Sequence, residues 1–244
     1  MIKNLNIWVD HKDNTYLDSK KWNENKRPMP NIIGQRVYIG SDLSNKIDLC
    51  SHGMEFPDIS FVMQHSFIPE DILWFKIKQD RQPYDLWVRQ GYITLVPGSV
   101  IDDDVIIQWL DDFVNDYELK PIECCFDPWS ARQFSISMAN KGYTMVEVRQ
   151  GLQTLSEPTK DFRNKIYKKE LFHAGDPLLQ FAVNNAIEKN TNGNIMIDKE
   201  KSRNKIDPLA ALINAHTRAM YDTPESQYDP NKYATEDMLN KLWG

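Results

Sequence analysis

Asp42, Asp127 and Asp207 are the residues whose types and settings point to chemistry. Asp42 ends the apolar strand-like run Val37-Tyr38-Ile39-Gly40-Ser41. Asp127 ends a second, Ile122-Glu123-Cys124-Cys125-Phe126. Asp207 follows Ile206 and precedes Pro208, after a stretch that starts at Ile195. A carboxylate where a sheet meets solvent must be hydrated, paired or bound to a cation. Three acids gathered by the fold cannot all stay ionised unless cations bridge them. Hard carboxylate oxygens suit divalent ions of the magnesium type. Asp207 before a proline is also a good helix N-cap, and the two roles are compatible because a carboxylate has two oxygens.

The elements that must position these acids follow from pattern. Residues 36–68 read as a three-strand antiparallel meander, with strands at about 36–43, 47–54 and 59–68. In that register Asp48 faces Asp42 across the first hairpin, a like-charge pair that calls for something positive between them. Residues 69–90 read as one or two short helices with Trp74, Phe75, Leu86 and Trp87 inward, and 92–96 as a strand. Asp102-Asp103-Asp104 opens an amphipathic helix whose stripe is Val105, Ile106, Trp109, Leu110, Phe113, Val114 and Tyr117. Its three acids are explained by capping and the helix dipole.

The run 122–126, a helix over 129–141 and a strand over 143–148 form a right-handed strand-helix-strand unit, in which ligands gather at the carboxyl ends of the strands. Asp127 falls there. A basic helix over 156–171 carries Lys160, Arg163, Lys165, Lys168 and Lys169. A helix over 177–189, an Asn192-Gly193 turn, a short strand and the basic segment 199–205 follow. The last helix begins at Asp207, with Leu209, Leu212, Ile213 and His216 on one face.

The 244-residue chain carries a net charge of −6, so any nucleic-acid contact must come from local basic patches or bound cations. Candidate phosphate contacts are Lys205, Arg203, Lys201, Lys165 and Lys168. Three cysteines without a CxxC pair exclude a disulfide framework and a zinc site. The five histidines lack any metal-ligand spacing and read as structural, with His173 a candidate to help order the site or bind phosphate. The Trp and Tyr residues mostly fall on apolar stripes and read as core. No apolar run is long enough to span a bilayer, so no membrane partner is expected.

A meander, then helix, strand, helix, strand and a late helix, with acids on the first strand, a parallel strand and the late helix, resembles the layout of ribonuclease-H-like nucleases. That is an α/β fold: a mixed sheet, the antiparallel three-strand meander plus parallel strands, flanked by helices. Two divalent ions about 4 Å apart in such an acid cluster would activate a water and stabilise a leaving 3′ oxygen.

The ordered series Leu5-Asn6-Ile7-Trp8-Val9, Ile39-Gly40-Ser41-Asp42-Leu43-Ser44, Asp48-Leu49, Phe126-Asp127-Pro128-Trp129, Gln150-Gly151, Leu155-Ser156-Glu157-Pro158, His173, Asp176-Pro177 and Lys205-Ile206-Asp207 resembles the C-terminal nuclease half of the large terminase subunit of tailed bacteriophages. The resemblance covers roughly residues 5–220. It implies an endonuclease that cuts concatemeric viral DNA for packaging and depends on two Mg²⁺ or Mn²⁺ ions. Asp42, Asp127 and Asp207 match the metal-binding catalytic acids, and Asp48 a fourth acid of some members. It also implies double-stranded DNA, the terminase ATPase domain, the small terminase subunit and the portal as partners, in the cytoplasm of the infected bacterial host. The chain holds no GxxxxGK[ST] motif, so residues 1–30 are expected to be an arm toward an absent ATPase domain, 31–220 the nuclease domain and 221–244 a tail.

Two other readings stay open on sequence grounds. One is a non-catalytic docking module whose acids only cap and solvate. The other is a ribonuclease-H-like integrase or resolvase, which would bring a DNA-reading module that the chain does not show.

Overall fold

The structure, a computed structural model, describes residues 15–43, 48–129, 131–199, 201–202 and 205–222. The expected segment Leu5–Val9 and residues 223–244 lie outside the described residues. Three strands form the meander: β1 (Arg36–Asp42), β2 (Cys50–Phe56) and β3 (Phe61–Pro69), each antiparallel to the next. β4 (Ile93–Val96) runs parallel to β3, β5 (Lys120–Phe126) parallel to β1, and β6 (Met145–Glu147) parallel to β5. The sheet order is β4-β3-β2-β1-β5-β6, and β7 (Phe172–His173) pairs with the start of β3. This is the mixed sheet anticipated above. β8 (Glu188–Thr191) and β9 (Asn194–Ile197) form a separate hairpin. Its turn residues Asn192 and Gly193 both have positive φ, as the tightest hairpin turns require.

Helices cover both faces. On one, α4 (Asp103–Asp116) and α5 (Arg132–Asn140) set Ile106, Leu110, Phe134 and Met138 against Val37, Ile39, Cys124 and Phe126. On the other, α6 (Leu152–Lys168) and α8 (Asp207–Ala219) bring Leu155, Phe162, Ile166, Leu209, Leu212 and Ile213 together with Val62 and Cys125. Each such side chain contributes about 1.5–3 kcal/mol of burial free energy. Alternation along β1 follows the period of two: Val37 and Ile39 face α4, while Tyr38 packs with Ala215 and Ala219 of α8. Four short α-helices complete the set among the described residues: α1 (Ser19–Glu24), α2 (Leu73–Asp80), α3 (Tyr84–Arg89) and α7 (Pro177–Asn185).

Several expectations change in detail. Asp42 pairs with Ser51, not Asp48, because the ladder of β2 starts later than the expected 47. That register avoids a like-charge cross-strand pair and leaves Asp48 outside the ladder. Of the four residues expected inward over 69–90, Trp87 is buried, but Trp74 and Phe75 are 65% and 63% exposed and Leu86 is exposed too. The chain breaks at Arg81, in the left-handed region, and Pro83, so the inward face of α2 is Leu73, Lys76 and Ile77 instead.

α6 begins four residues before the expected 156 and continues through Pro158, whose ring is buried. The packing of Leu155, Phe162 and Ile166 outweighs the hydrogen bond that proline forfeits. Within the expected arm 1–30, Tyr16, Leu17 and Trp22 are buried in the core, and Trp22 belongs to α1 (Ser19–Glu24). Asp102 does cap α4, accepting from Asp104 N–H at 3.0 Å.

Candidate metal centre

Asp42 is the last residue of β1, and its register neighbour Ser41 lies beside Phe126 on the parallel strand β5. Asp127 is the next residue along β5. The two acids therefore end adjacent parallel strands at one sheet edge. Period-two alternation also gives them one face: Tyr38, Gly40 and Asp42 on β1, Cys125 and Asp127 on β5. That face carries α8. Ala219 packs at Tyr38, and Ala211 and Ala215 lie directly over Gly40, so α8 runs antiparallel to β1. One turn before Ala211, the helix starts at Asp207, over the end of β1 where Asp42 stands.

α8 has no amphipathic face to spare: ten of its 13 residues are buried. A helix apolar all round belongs inside the protein, and this burial carries Asp207 to the sheet edge. Asp207 is the first residue of the helix, and Ile206 holds the N-cap position before it. Burial and then the charge of Asp42 push the Asp207 carboxyl up to about 7.

Asp42 is 1% exposed, and its two oxygens differ. Oδ2 accepts from Lys199 Nζ at 2.7 Å, while Oδ1 is buried with no hydrogen-bond partner among the described residues. Burial would lower the Lys199 ammonium, but Asp42 outweighs it, with help from Asp207 and Asp127, and its pKa is raised. Asp127 is anchored through Oδ1, which accepts the Trp129 N–H at 3.1 Å in a tight turn after Pro128.

Asp48 stands apart from Asp42 in the ladder but has its own cations. Lys76 Nζ lies 2.9 Å from Oδ1, and Lys205 Nζ also pairs with this carboxylate. Burial alone would raise Asp48; the two ammonium groups prevail and hold it below the usual carboxylate range. Beside the acids opens a cleft of about 510 Å³, lined by Asp127, Lys199, Gln150, Asn214, Ala210 and Ile213 among others. Gln150 Nε2 donates to Asn214 Oδ1 at 3.1 Å, and Asn214 Nδ2 to the Ser41 carbonyl at 3.0 Å, which ties α8 to the end of β1.

Among the described residues, no three His, Cys, Asp or Glu side chains already enclose a cation position. Ammonium groups stand against the acids instead, Lys199 at Asp42 and Lys205 at Asp48. The donor set nevertheless fits a divalent ion: carboxylate oxygens only, one of them without a hydrogen-bond partner among the described residues.

The candidate phosphate contacts are not all brought together. Lys205 is at the acids and Lys201 sits on the turn after β9, whereas Arg203 lies outside the described residues. Lys165 and Lys168 belong to the end of α6 away from the cleft, and Lys165 lies 3.7 Å from Asp161. His173 is buried and stacked on Trp22, with ring centroids 4.0 Å apart, which makes it a core residue. Trp129, in the turn after Asp127, is 91% exposed and is an exception to the general reading of the Trp residues as core. The sequence reading missed Lys199 as the partner of Asp42 and Lys76 as that of Asp48. A lysine on the inward face of a short helix was the available sign of Lys76; nothing in the pattern singled out Lys199 from its basic neighbours.

This mixed sheet, with acids at one edge and a buried helix bringing the third, defines a ribonuclease-H-like domain with a carboxylate-centred site. The model of the family described as "Terminase large subunit, endonuclease domain" matches residues 1–223, and the chain belongs to that family. The terminase large subunit of Enterobacteria phage HK97 is 28% identical over 190 residues, 75% of this chain and 37% of the relative. The crystal structure of the HK97 large terminase superposes with a TM-score of 0.75 at 24% identity, over 83% of this chain and 43% of that one. The large terminase nuclease of thermophilic phage G20c with bound magnesium shares the fold with a TM-score of 0.51 at 12% identity, over 79% of this chain and 85% of that one. The chain thus spans about two fifths of the length of the HK97 protein. Among the described residues no helix is long and apolar enough to cross a membrane.

Proposed function

We propose that this chain is the metal-dependent endonuclease part of a DNA-packaging terminase, hydrolysing phosphodiester bonds of concatemeric double-stranded phage DNA. The observation that supports it most is the pairing of Asp42, whose buried Oδ1 has no hydrogen-bond partner among the described residues, with Asp207, whose carboxyl is raised by burial and then by the charge of Asp42. Asp42, Asp127 and Asp207 would hold two Mg²⁺ or Mn²⁺ ions, with Asp48 as a fourth acid. Such ions supply an activated water and charge for the leaving 3′ oxygen. The G20c nuclease, which carries magnesium, lends this reading support.

The chain's own residues would do the rest. β1 and β5 fix the spacing of Asp42 and Asp127. The Trp129 N–H orients the Asp127 carboxylate. Lys205, with Lys201 and Arg203 on the same segment, would meet phosphates at the sheet edge, and Lys165 and Lys168 would contact duplex further along. The ATPase domain, small terminase subunit and portal are the partners this reading brings, and the infected bacterial cytoplasm its setting. The arm toward the ATPase domain would precede residue 15, because Tyr16, Leu17 and Trp22 already pack in the nuclease core, and a tail would follow Asp222, which still binds Arg36 and Tyr38 of β1.

The test is cutting of supercoiled plasmid in Mn²⁺ or Mg²⁺. Chelator should abolish it, and Asp42→Asn and Asp127→Asn should each lose it. Either variant cutting as fast as the parent defeats the assignment. DNA affinity should also fall steeply with salt if these lysines touch phosphates. A non-catalytic docking module would have no use for a bare buried carboxylate oxygen; calorimetric titration with Mn²⁺ separates the two, since a docking module shows no saturable binding.

A further inference from the structure

Lys199 and Asp42 do not form an ordinary surface ion pair. Asp42 is fixed at the end of a central strand and almost wholly buried; among the described residues it has Lys199 on one oxygen and no hydrogen-bond partner on the other. Lys199 is not a free arm either. It leaves a turn anchored by Asp198, whose Oδ1 accepts the Lys201 N–H at 3.1 Å and whose carbonyl accepts the Ser202 hydroxyl at 2.6 Å. Its side chain is 39% exposed and borders the cleft beside Asp127, so an ammonium released from Asp42 has open space to enter.

Carboxylates gathered at one sheet edge repel one another unless positive charge stands among them. We infer that Lys199 is a tethered cation of this centre: its ammonium occupies the place at Asp42 Oδ2 that a divalent ion would take, so that ion entry and lysine release are a single exchange. The inference rests on the nuclease reading, because it treats Asp42 as a metal ligand. No bond is made or broken; one positive charge leaves the carboxylate as two arrive. Lys199 is then a positioning residue that sets the concentration of metal at which the centre fills, and it preserves the spacing of Asp42 and Asp207 until then.

The experiment measures Mn²⁺ affinity by calorimetry in the parent, Lys199→Met and Lys201→Met, and the amine-labelling rate of Lys199 in the parent with and without Mn²⁺. Releasing a charge-assisted hydrogen bond from the competition should tighten Mn²⁺ binding about 10- to 100-fold in Lys199→Met. Lys201→Met removes the same charge from the same turn, and through long-range electrostatics alone should change affinity by no more than about twofold. Labelling of Lys199 should speed up when Mn²⁺ saturates the protein; this arm needs no variant to fold.

If the parent binds Mn²⁺ and Lys199→Met binds it equally well, or labelling does not respond to metal, the exchange is disproved and the nuclease reading stands. Equal gains in Lys199→Met and Lys201→Met also disprove it, since they would show a general field. If neither parent nor Lys199→Met binds Mn²⁺, the nuclease reading itself falls.

Discussion

Gly40 and Gly53 are directly paired across β1 and β2, and α8 rests on the bare patch they make. A Cβ on Gly40 would lie within 3.0 Å of the Ala211 carbonyl oxygen and the Ala215 nitrogen; one on Gly53 would lie equally close to Leu212 N and Cα. These are backbone atoms and cannot swing aside. Glycine inside a strand costs stability unless another backbone must come close, and here the backbone is that of the helix bearing Asp207.

Gly40→Ala should therefore lift α8 from the sheet. The expected loss is about 1–3 kcal/mol of unfolding free energy, the usual range for overpacking a core. Mn²⁺ affinity should fall with it because Asp207 moves away from Asp42. Urea denaturation and Mn²⁺ titration of the same sample check both. A variant as stable as the parent would mean that α8 does not sit where the structure has it.

His216 is fully buried on α8, with Nδ1 2.8 Å from Glu55 Oε2 and Nε2 3.1 Å from Asp161 Oδ2. Burial would lower its pKa, but Glu55 and Asp161 prevail and it is raised above 6.5. A raised value means that the folded state binds the proton more tightly. This contribution is complete below pH 6.5 and is lost as pH rises through the folded value. His216→Phe should cost about 3–5 kcal/mol, since it leaves Glu55 buried without its partner. It should also flatten the decline of stability above pH 6.5, measured by denaturant titrations between pH 6 and 9.

Asp48 shares two ammonium groups, and each can serve alone. Lys76→Met and Lys205→Met should each be mild, while the double variant strands a half-buried carboxylate. The double loss should exceed the sum of the singles by about 0.5–3 kcal/mol in a double-mutant cycle. Simple additivity would show that the two lysines do not act on one acid.

Cys50, Cys124 and Cys125 are all buried, and burial raises all three thiols, Cys125 to about 12. The native protein should react with a thiol reagent only as fast as it unfolds. Rapid labelling of any of them at pH 8 without denaturant would contradict the packing of β2 and β5.

The fold was legible where periodicity was strong. The meander, the strand ending at Phe126 and the amphipathic stripe from Val105 each declare themselves by spacing, and the acids sit at their ends. Register was not legible. Whether Asp42 faces Asp48 or Ser51 depends on where the β2 ladder begins, and residues on either side of that turn are equally polar. Burial of α2 failed for a related reason: Trp74 and Phe75 look like core by type, but the break at Arg81 turns the helix so that Lys76 faces in. Asp207 was found as an acid before a proline, a position that suggests a cap. Only the three-dimensional seat of α8, prepared by two glycines and a run of alanines, reveals what else it touches. Lys199 could not have been chosen from sequence, since a contact of 157 positions' separation leaves no local trace.

The supports of the four central side chains differ in stiffness. Asp42 and Asp127 hang from neighbouring hydrogen-bonded strands, so their separation is a property of the sheet. Asp207 is held by side-chain packing of a whole helix, and Lys199 by one turn after a two-stranded hairpin. Compliance in this centre is thus graded from the sheet outward. Whatever accommodation a bound ion or a strained phosphate demands falls first on Lys199, then on Asp207, while the strand-borne pair serves as the fixed ruler against which both are set.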